Sequence, residues 1–270
     1  RRLLRARLRE FDLHEGRQVA FAATTPSSIA DIAALAPALF VASGPSAIRA
    51  ALAARPDTPV LGLTGEMIAS GFARSLAHPG GRVSGVSFIS ETLNAKRFEL
   101  LCEVMPRPAE ALLLADARSQ SWGVAEMEEA ARALGIRLHL EKVSSPETID
   151  AALAGARSRG IGGVNVLASP VLNGLRRHIV DRAQAERLPA IYQWIETARE
   201  GGLMAYGPSI EQLYRVLGTM AARVLRGTPV AEIPIEQPTQ IELAINLRGA
   251  AAIGIAIPAS LLARADEVIE

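Results

Sequence analysis

Short apolar runs recur along the chain and alternate with segments of helical periodicity. The runs are Ala38–Ala42, Val60–Leu63, Val83–Ile89, Ala111–Ala115, Ile136–Val143, Gly163–Ala168 and Ala190–Trp194. This alternation predicts crossover units and parallel sheets. Several runs are continuously apolar, which is typical of strands that helices cover on both faces. The fold class is therefore predicted to be α/β.

The segments between the runs carry helical spacing. In Leu93–Met105 the apolar side chains share one helical face, and Pro106 ends the helix. Ser121–Leu134 is predicted to be a helix with Ser121 as its N-cap and Gly135 as its C-terminal stop.

Length and charge limit the organisation and the partners. A chain of 270 residues is long enough for two medium domains. The formal net charge of +1 provides no broad electrostatic field, so we expect no nucleic-acid partner and no anionic lipid partner. No apolar stretch reaches the roughly 18 residues of a membrane span. The single cysteine, Cys102, lies in an apolar helical segment, which favours a buried, inert thiol.

Glycine- or proline-rich segments mark three predicted crossings between two lobes, because such residues absorb hinge rotation. The segments are His78–Gly85, Gly201–Pro208 and Pro234–Leu247. They predict lobe 1 as residues 1–85 plus 206–235, and lobe 2 as residues 86–205 plus 236–270.

Ligands of open α/β sheets bind beyond the carboxyl ends of the strands, so the residues that follow each run are the candidate site residues. After the first run, a turn leads into a predicted helix, and its amide groups favour either an anion site or a plain capping turn. After the second run, an acidic residue either pairs with a ligand ammonium group or faces solvent at a helix start. These candidates are Ser43, Gly44, Pro45, Ser46, Thr64, Gly65 and Glu66.

The second half repeats this arrangement. Polar residues follow the fourth and sixth runs, and two large aromatic residues end the seventh run. The aromatic rings are interpreted either as the wall of a ligand pocket or as packing residues. These candidates are Asp116, Arg118, Ser119, Ser169, Pro170, Tyr192 and Trp194.

Patterns of known catalytic sites are absent from the sequence. Gly85-Val-Ser87-Phe-Ile89 lacks the second glycine of a nucleophile elbow, and no Walker-type phosphate loop occurs. The four histidines, His14, His78, His139 and His178, have no metal-ligand spacing. We therefore predict no catalytic residue, no metal and no cofactor.

Six segments in order carry a family resemblance. They are Ser70–Gly81, Lys96–Leu101, Leu188–Tyr192, Glu200–Gly207, Glu236–Thr239 and Ile257–Glu270. From about Ser70 to Glu270 the chain resembles the ABC transporter substrate-binding family that includes tryptophan and tyrosine uptake proteins. The resemblance implies a type I periplasmic-binding fold, with two Rossmann-like lobes joined by three strands around a ligand cleft.

The resemblance also implies a function and a set of site residues. A small organic ligand, with an amino acid or an aromatic or carboxylate compound favoured, is captured and delivered to a membrane permease. The protein is then expected to be a periplasmic monomer whose leader has been removed or is not included in the sequence, and it is not expected to be an enzyme. The implied ligand residues are those of the strand ends named above together with Glu196, the end of the segment Tyr192–Glu196.

The front of the chain departs from the family pattern. It starts inside what resembles the first helix, Arg1–Phe11, so the first strand of lobe 1 is expected to be missing. Either the sequence omits residues of a longer protein, or this member has an eroded first lobe. Glu15–Ala23 is predicted to keep the second strand, followed by a shortened helix at Ser27–Leu35. Within the first helix, Leu3, Leu4, Leu8 and Phe11 fall near one face, which leaves the arginines on a solvated face.

Two other functions remain open from the sequence. The first is the ligand-sensing domain of a regulator or signalling receptor, which would require an attached DNA-binding or signalling module. The second is an α/β enzyme that uses Asp116, Glu66 or His178 as acid or base, because fold alone does not exclude catalysis.

Overall fold

The computed structural model describes residues 2–65, 67–88, 90–105, 110–118 and 124–270, and its contacts divide the chain into two compact units. Unit 1 consists of Arg1–Ile89 and Ile210–Thr239, and unit 2 of Ser90–Ser209 and Gln240–Glu270. The chain thus changes unit three times, as the fold class predicted.

Helices and strands alternate along both units. The helices are α1 (Arg2–Arg9), α2 (Ile29–Ala34), α3 (Pro45–Ala54), α4 (Ser90–Cys102), α5 (Val124–Ala133), α6 (Pro146–Leu153), α7 (Pro170–Gly174), α8 (Arg176–Ala185), α9 (Ile195–Arg199), α10 (Ile210–Leu225), α11 (Leu247–Ile253) and α12 (Ala259–Leu262). The strands are β1 (Phe40–Ser43), β2 (Val60–Thr64), β3 (Val83–Ser87), β4 (Glu110–Asp116), β5 (Arg137–Val143), β6 (Ile161–Val166), β7 (Ala190–Tyr192), β8 (Met204–Gly207), β9 (Glu242–Asn246) and β10 (Glu267–Ile269). Strands β1 to β7 coincide with the seven predicted runs. The predicted N-cap Ser121 lies outside the described residues.

Unit 1 has a parallel sheet in the order β1-β2-β3. Helix α1 packs against α10 through the buried Leu4 and Leu8, while Arg2 and Arg9 are exposed. The Nε atom of Arg7 donates a hydrogen bond to Thr219 of α10 at 3.1 Å. The predicted amphipathic N-terminal helix is therefore present, but the prediction of a fully solvated arginine face is wrong, because Arg5 and Arg7 are half-buried.

The predicted strand at Glu15–Ala23 is wrong. Glu15 and Val19 form only an isolated bridge, within a turn whose amide groups donate to the His14 carbonyl, and residues 20–25 have no regular structure. The alanines of this segment are exposed, so the segment buries too little apolar surface to hold a strand in place.

Unit 2 has a seven-stranded sheet in the order β10-β9-β8-β7-β6-β4-β5, in which only the β8–β9 pair is antiparallel. Strand β4, which lies between β6 and the edge strand β5, is buried on both faces. Leu112 and Leu114 face one apolar cluster, whereas Leu113 and Ala115 face another. Helices therefore cover both faces of this sheet, as its continuously apolar strands predicted. Within the described part of the chain, no helix is long and apolar enough to cross a membrane.

Candidate functional site

The structure joins two predicted site residues at the carboxyl ends of neighbouring strands in unit 2. Asp116 is the last residue of β4, and Ser169 follows β6 as the N-cap of α7. One carboxylate oxygen of Asp116 accepts from the Ser169 hydroxyl at 2.6 Å, and the other accepts from the Arg118 amide at 2.9 Å. The Ser169 oxygen itself accepts from the amide groups of Val171 and Leu172 at 3.0 and 3.2 Å. These bonds hold both turns in position, with Arg118 and Pro170 exposed beside them.

Replacing Ser169 by alanine is expected to lower the free energy of unfolding by about 1–2 kcal/mol, because α7 loses its N-cap and Asp116 loses a donor. Urea unfolding followed by tryptophan fluorescence measures the change. Ser169→Thr keeps the hydroxyl and should recover most of the loss. Equal losses in both variants would mean that the hydroxyl does not act as the cap.

In unit 1 the first two predicted turns are neighbours, because Ser43 lies opposite Leu63 in the β1–β2 pair. Gly44, with φ +84°, donates its amide to the Leu63 carbonyl at 2.9 Å. Pro45 then begins α3 without an amide donor. An anion at this turn could therefore accept hydrogen bonds only from the amide groups of the residues after Pro45, beginning at the exposed Ser46.

The next candidates in unit 1 lie at the end of β2. Thr64 is buried, and its carbonyl accepts from the Phe88 amide at 3.1 Å. The Gly65 carbonyl accepts from the Ser87 hydroxyl at 3.2 Å. Both carbonyls thus connect β2 to the end of β3. The candidates Glu66 and Ser119 lie outside the described residues.

The aromatic candidates have different environments. Tyr192 is 4% exposed and belongs to the apolar core, where its ring lies against Gly202 and burial raises the pKa of its hydroxyl. Trp194 is half-buried at the start of α9, and its carbonyl accepts from the Thr197 amide at 2.9 Å. Glu196 is also half-buried. Tyr192 thus matches the packing interpretation, while Trp194 and Glu196 keep accessible surface at the strand end.

Four buried polar residues lie between α4 and the sheet face that it covers, and we name them the α4 polar cluster: Asn94, Arg97, Asn165 and Gln193. Asn94 and Arg97 belong to α4. None of the four was a candidate site residue, although Gln193 lies within the implied segment Tyr192–Glu196. The Asn165 amide donates to the Asn94 carbonyl at 3.4 Å. Asn165 and Gln193 interrupt apolar strand runs, and polar residues are uncommon at buried positions. That interruption was the signal available in the sequence.

Arg97 is the charged member of this cluster and is 0% exposed. Its Nε atom donates to the Tyr206 carbonyl at 2.7 Å, and its Nη1 atom donates to the Asn94 side-chain oxygen. Its Nη2 atom has no hydrogen-bond partner among the described residues. Burial lowers the pKa of the guanidinium to about 9. The cluster therefore contains a buried cation that neutral oxygen atoms stabilise only in part.

Two of the groups considered for catalysis, His178 and Asp116, bond to different partners. His178 pairs with Asp150 of α6 at 2.8 Å, whereas Asp116 pairs with Ser169. Cys102 is half-buried, and burial together with nearby glutamates raises the pKa of its thiol to about 12, which makes it a poor nucleophile. Where the structure describes the chain, no three His, Cys, Asp or Glu side chains form a group that would hold a metal ion.

Solved structures share this fold. The ABC domain from Streptococcus pneumonia in complex with L-Trp is 22% identical, with a TM-score of 0.85 over 99% of this chain and 93% of that chain. A conserved domain protein from Vibrio cholerae is 18% identical, with a TM-score of 0.86 over the same shares. A substrate-binding protein with adhesive properties from Clostridium difficile, in its ligand-free, open structure, is 20% identical, with a TM-score of 0.64 over 99% of this chain and 93% of that chain.

No curated relative matches the sequence significantly. The family model described as ABC transporter substrate binding protein matches residues 4–269. Because this match spans both units, the chain belongs to the ABC transporter substrate-binding protein family.

Proposed function

We propose that this protein captures a small organic ligand for an ABC uptake transporter, delivers it to the membrane permease and catalyses nothing. The family match over residues 4–269 is the observation that carries the proposal. We further propose that it acts as a monomer in the periplasm, without nucleic-acid partner or cofactor. The carboxyl-edge turns of each unit, at Ser43 and Thr64 in unit 1 and at Asp116 and Ser169 in unit 2, supply groups that suit a polar ligand.

The favoured ligand is an amino acid or an aromatic or carboxylate compound. Amide groups at the start of α3 suit a carboxylate, and the half-buried Trp194 suits an apolar or aromatic body. The Streptococcus structure that shares this fold is a complex with L-Trp, which supports the same class.

Thermal unfolding in the presence of a compound library tests this proposal. Amino acids, aromatic acids and sugars are each added to the purified protein, because a ligand that binds only the native state raises the melting temperature. A ligand at a hundred times its dissociation constant stabilises by about 2.7 kcal/mol, which corresponds to about 5–10 °C for a chain of this size. We expect such a shift from at least one amino acid or aromatic acid. No shift from any class would overturn the proposal.

A regulator's sensor domain would also bind a ligand, so binding alone does not separate it from a transport protein. Uptake of the radiolabelled hit by cells lacking the gene makes the distinction. Loss of uptake, with recovery on expression of the wild-type gene, is expected of a transport component. Undiminished uptake together with altered transcription would favour the regulator.

A further inference from the structure

The charged residues of the chain are divided unevenly between the two units. Unit 1 contains thirteen arginines and nine acidic residues, whereas unit 2 contains sixteen cationic and nineteen acidic residues. The formal charge is therefore +4 for unit 1 and −3 for unit 2, and the net charge of +1 conceals this division. A local positive field can thus exist on unit 1 although the whole chain has no broad field.

Helix α1 turns two arginines toward solvent. Leu4 and Leu8 form the buried side of α1, so its opposite side carries the exposed Arg2 and Arg9. These two arginines lie two helical turns apart, which is about 10 Å along the helix axis. The outer face of α1 is therefore cationic along its whole length.

The arginines of α10 continue this cationic face. Arg215 and Arg223 lie on the exposed side of α10, and the exposed Arg226 directly follows the helix. Arg226 Nη2 donates to the carbonyl of Phe11 at 2.7 Å, which brings the end of α10 to the end of α1. We name the combined face the α1/α10 arginine surface, with the members Arg2, Arg9, Arg215, Arg223 and Arg226.

The positive charge of this surface is largely uncompensated. Arg215 pairs with Glu211 at 3.5 Å, but the other four members form no ion pair among the described residues. Two neighbouring acidic residues, Glu10 and Glu15, pair with half-buried arginines of the N-terminal segment. Asp12 is a further exposed carboxylate of this segment. Four unpaired arginines therefore outweigh one unpaired aspartate.

The chemistry of the surface favours a partner that carries phosphate groups. Guanidinium groups bind phosphate oxygens through paired N–H donors. None of the large apolar side chains that are exposed in the described part of the chain lies in α1 or α10. The surface thus lacks the apolar anchors that protein interfaces use, and its partner must be recognised by charge.

We propose that the α1/α10 arginine surface binds the phosphate head groups of an anionic phospholipid membrane. The proposed delivery of a ligand to a membrane permease would bring the protein to such a membrane, but the charge argument stands without it. A net charge of only +1 does not oppose the binding, because salt screens charges that lie more than about 8 Å from the lipid at physiological ionic strength.

Co-sedimentation with lipid vesicles tests the partner. The vesicles consist of phosphatidylcholine and phosphatidylglycerol in a two-to-one ratio, or of phosphatidylcholine alone. We expect the protein to bind only the anionic vesicles, and to dissociate when the ionic strength rises from about 0.02 M to about 0.5 M. Equal binding to both vesicles, or binding that salt does not weaken, would overturn the proposal.

Two soluble competitors distinguish a lipid surface from other sources of phosphate. Inorganic phosphate at matched ionic strength should not displace the protein from anionic vesicles, because a single ion meets few of the arginines at once. Displacement by inorganic phosphate would mean that the surface binds a free anion. Displacement by duplex DNA at a lower phosphate concentration than that of the vesicles would mean a nucleic-acid partner. Either displacement would overturn the proposal.

A triple variant with Arg2→Gln, Arg9→Gln and Arg223→Gln tests the residues. None of these three side chains has a bonding partner among the described residues, so the variant should fold and melt like the wild type. Each arginine near an anionic surface contributes about fivefold to membrane affinity, so partition onto anionic vesicles should fall about 100-fold. Unchanged partition would contradict the proposal.

The matched control removes the same charge elsewhere in unit 1. Arg49→Gln, Arg55→Gln and Arg74→Gln replace three exposed arginines outside α1 and α10 that form no ion pair among the described residues. Partition should stay within about threefold of the wild type, because these charges are screened from a membrane bound at α1 and α10. An equal loss in both triple variants would show that total charge, and not this surface, attracts the vesicles. The assay contains neither permease nor transported ligand, so its failure would leave the proposed ligand capture untouched.

Discussion

Replacing Gly85 by alanine is expected to remove about 4 kcal/mol from the free energy of unfolding of unit 1 and to leave little folded protein at 37 °C. Gly85 lies in the middle of β3 with φ +137°, a conformation that strains any residue with a Cβ atom. It lies opposite Gly62 of β2, and an added Cβ atom would come within 2.0 Å of the Gly62 carbonyl oxygen. Backbone strain and overpacking each cost about 1–3 kcal/mol, and here they act together.

Hydrogen exchange of the β1 to β3 amides, combined with urea unfolding by circular dichroism, measures this loss. Gly81→Ala is the control, because no atom lies within 4 Å of its added Cβ and its φ is not positive. We expect the control to remain within about 0.5 kcal/mol of the wild type. Similar losses in both variants would show that β2 and β3 separate easily to admit a side chain.

The strands could be predicted from the sequence, whereas the close contact between Gly85 and Gly62 could not, and the difference has a physical reason. Short runs rich in apolar residues specify strands locally, so β1 to β7 followed from the sequence, including β5, which is largely exposed. The opposition of Gly85 and Gly62 depends on the register between two strands, which no local pattern encodes. Strand β10 escaped prediction because its three residues form a partly exposed edge with little apolar signal.

The candidate site was likewise predictable only in part. The strand-end turns could be located from the runs alone. The direct bond between Asp116 and Ser169 requires β6 to lie beside β4. This neighbourhood is a tertiary property, because β5, the strand that follows β4 in the sequence, lies on the other side of β4. The α4 polar cluster likewise depends on which helix covers which sheet face. Asn165 and Gln193 stand out in the sequence only as polar interruptions of apolar strands.

Replacing Arg97 by alanine is expected to lower the free energy of unfolding of unit 2 by about 3 kcal/mol. The variant loses a fully buried side chain together with its hydrogen bonds to the Tyr206 carbonyl and the Asn94 side-chain oxygen. Loss of a hydrogen bond to a buried acceptor costs about 1–3 kcal/mol, and the emptied volume adds a cavity term. Burial of the guanidinium opposes these losses, because it already lowers the pKa of Arg97. The lost packing and hydrogen bonds should cost more free energy than the removal of a buried guanidinium gains.

Lys96→Ala provides a control one residue away on the same helix. Lys96 is an exposed cation that pairs with Glu99 at 2.8 Å, and such pairs contribute about 0–1 kcal/mol. Both tryptophans of the sequence fall in unit 2, so fluorescence during urea unfolding reports on the unit that contains both substitutions. Arg97→Met refills the volume without the charge, so it should lose only about 1–2 kcal/mol. If Arg97→Met and Arg97→Ala lower the free energy of unfolding equally, the guanidinium hydrogen bonds rather than packing hold α4 on the sheet. If neither variant differs in stability from Lys96→Ala, Arg97 contributes no net stability to the fold.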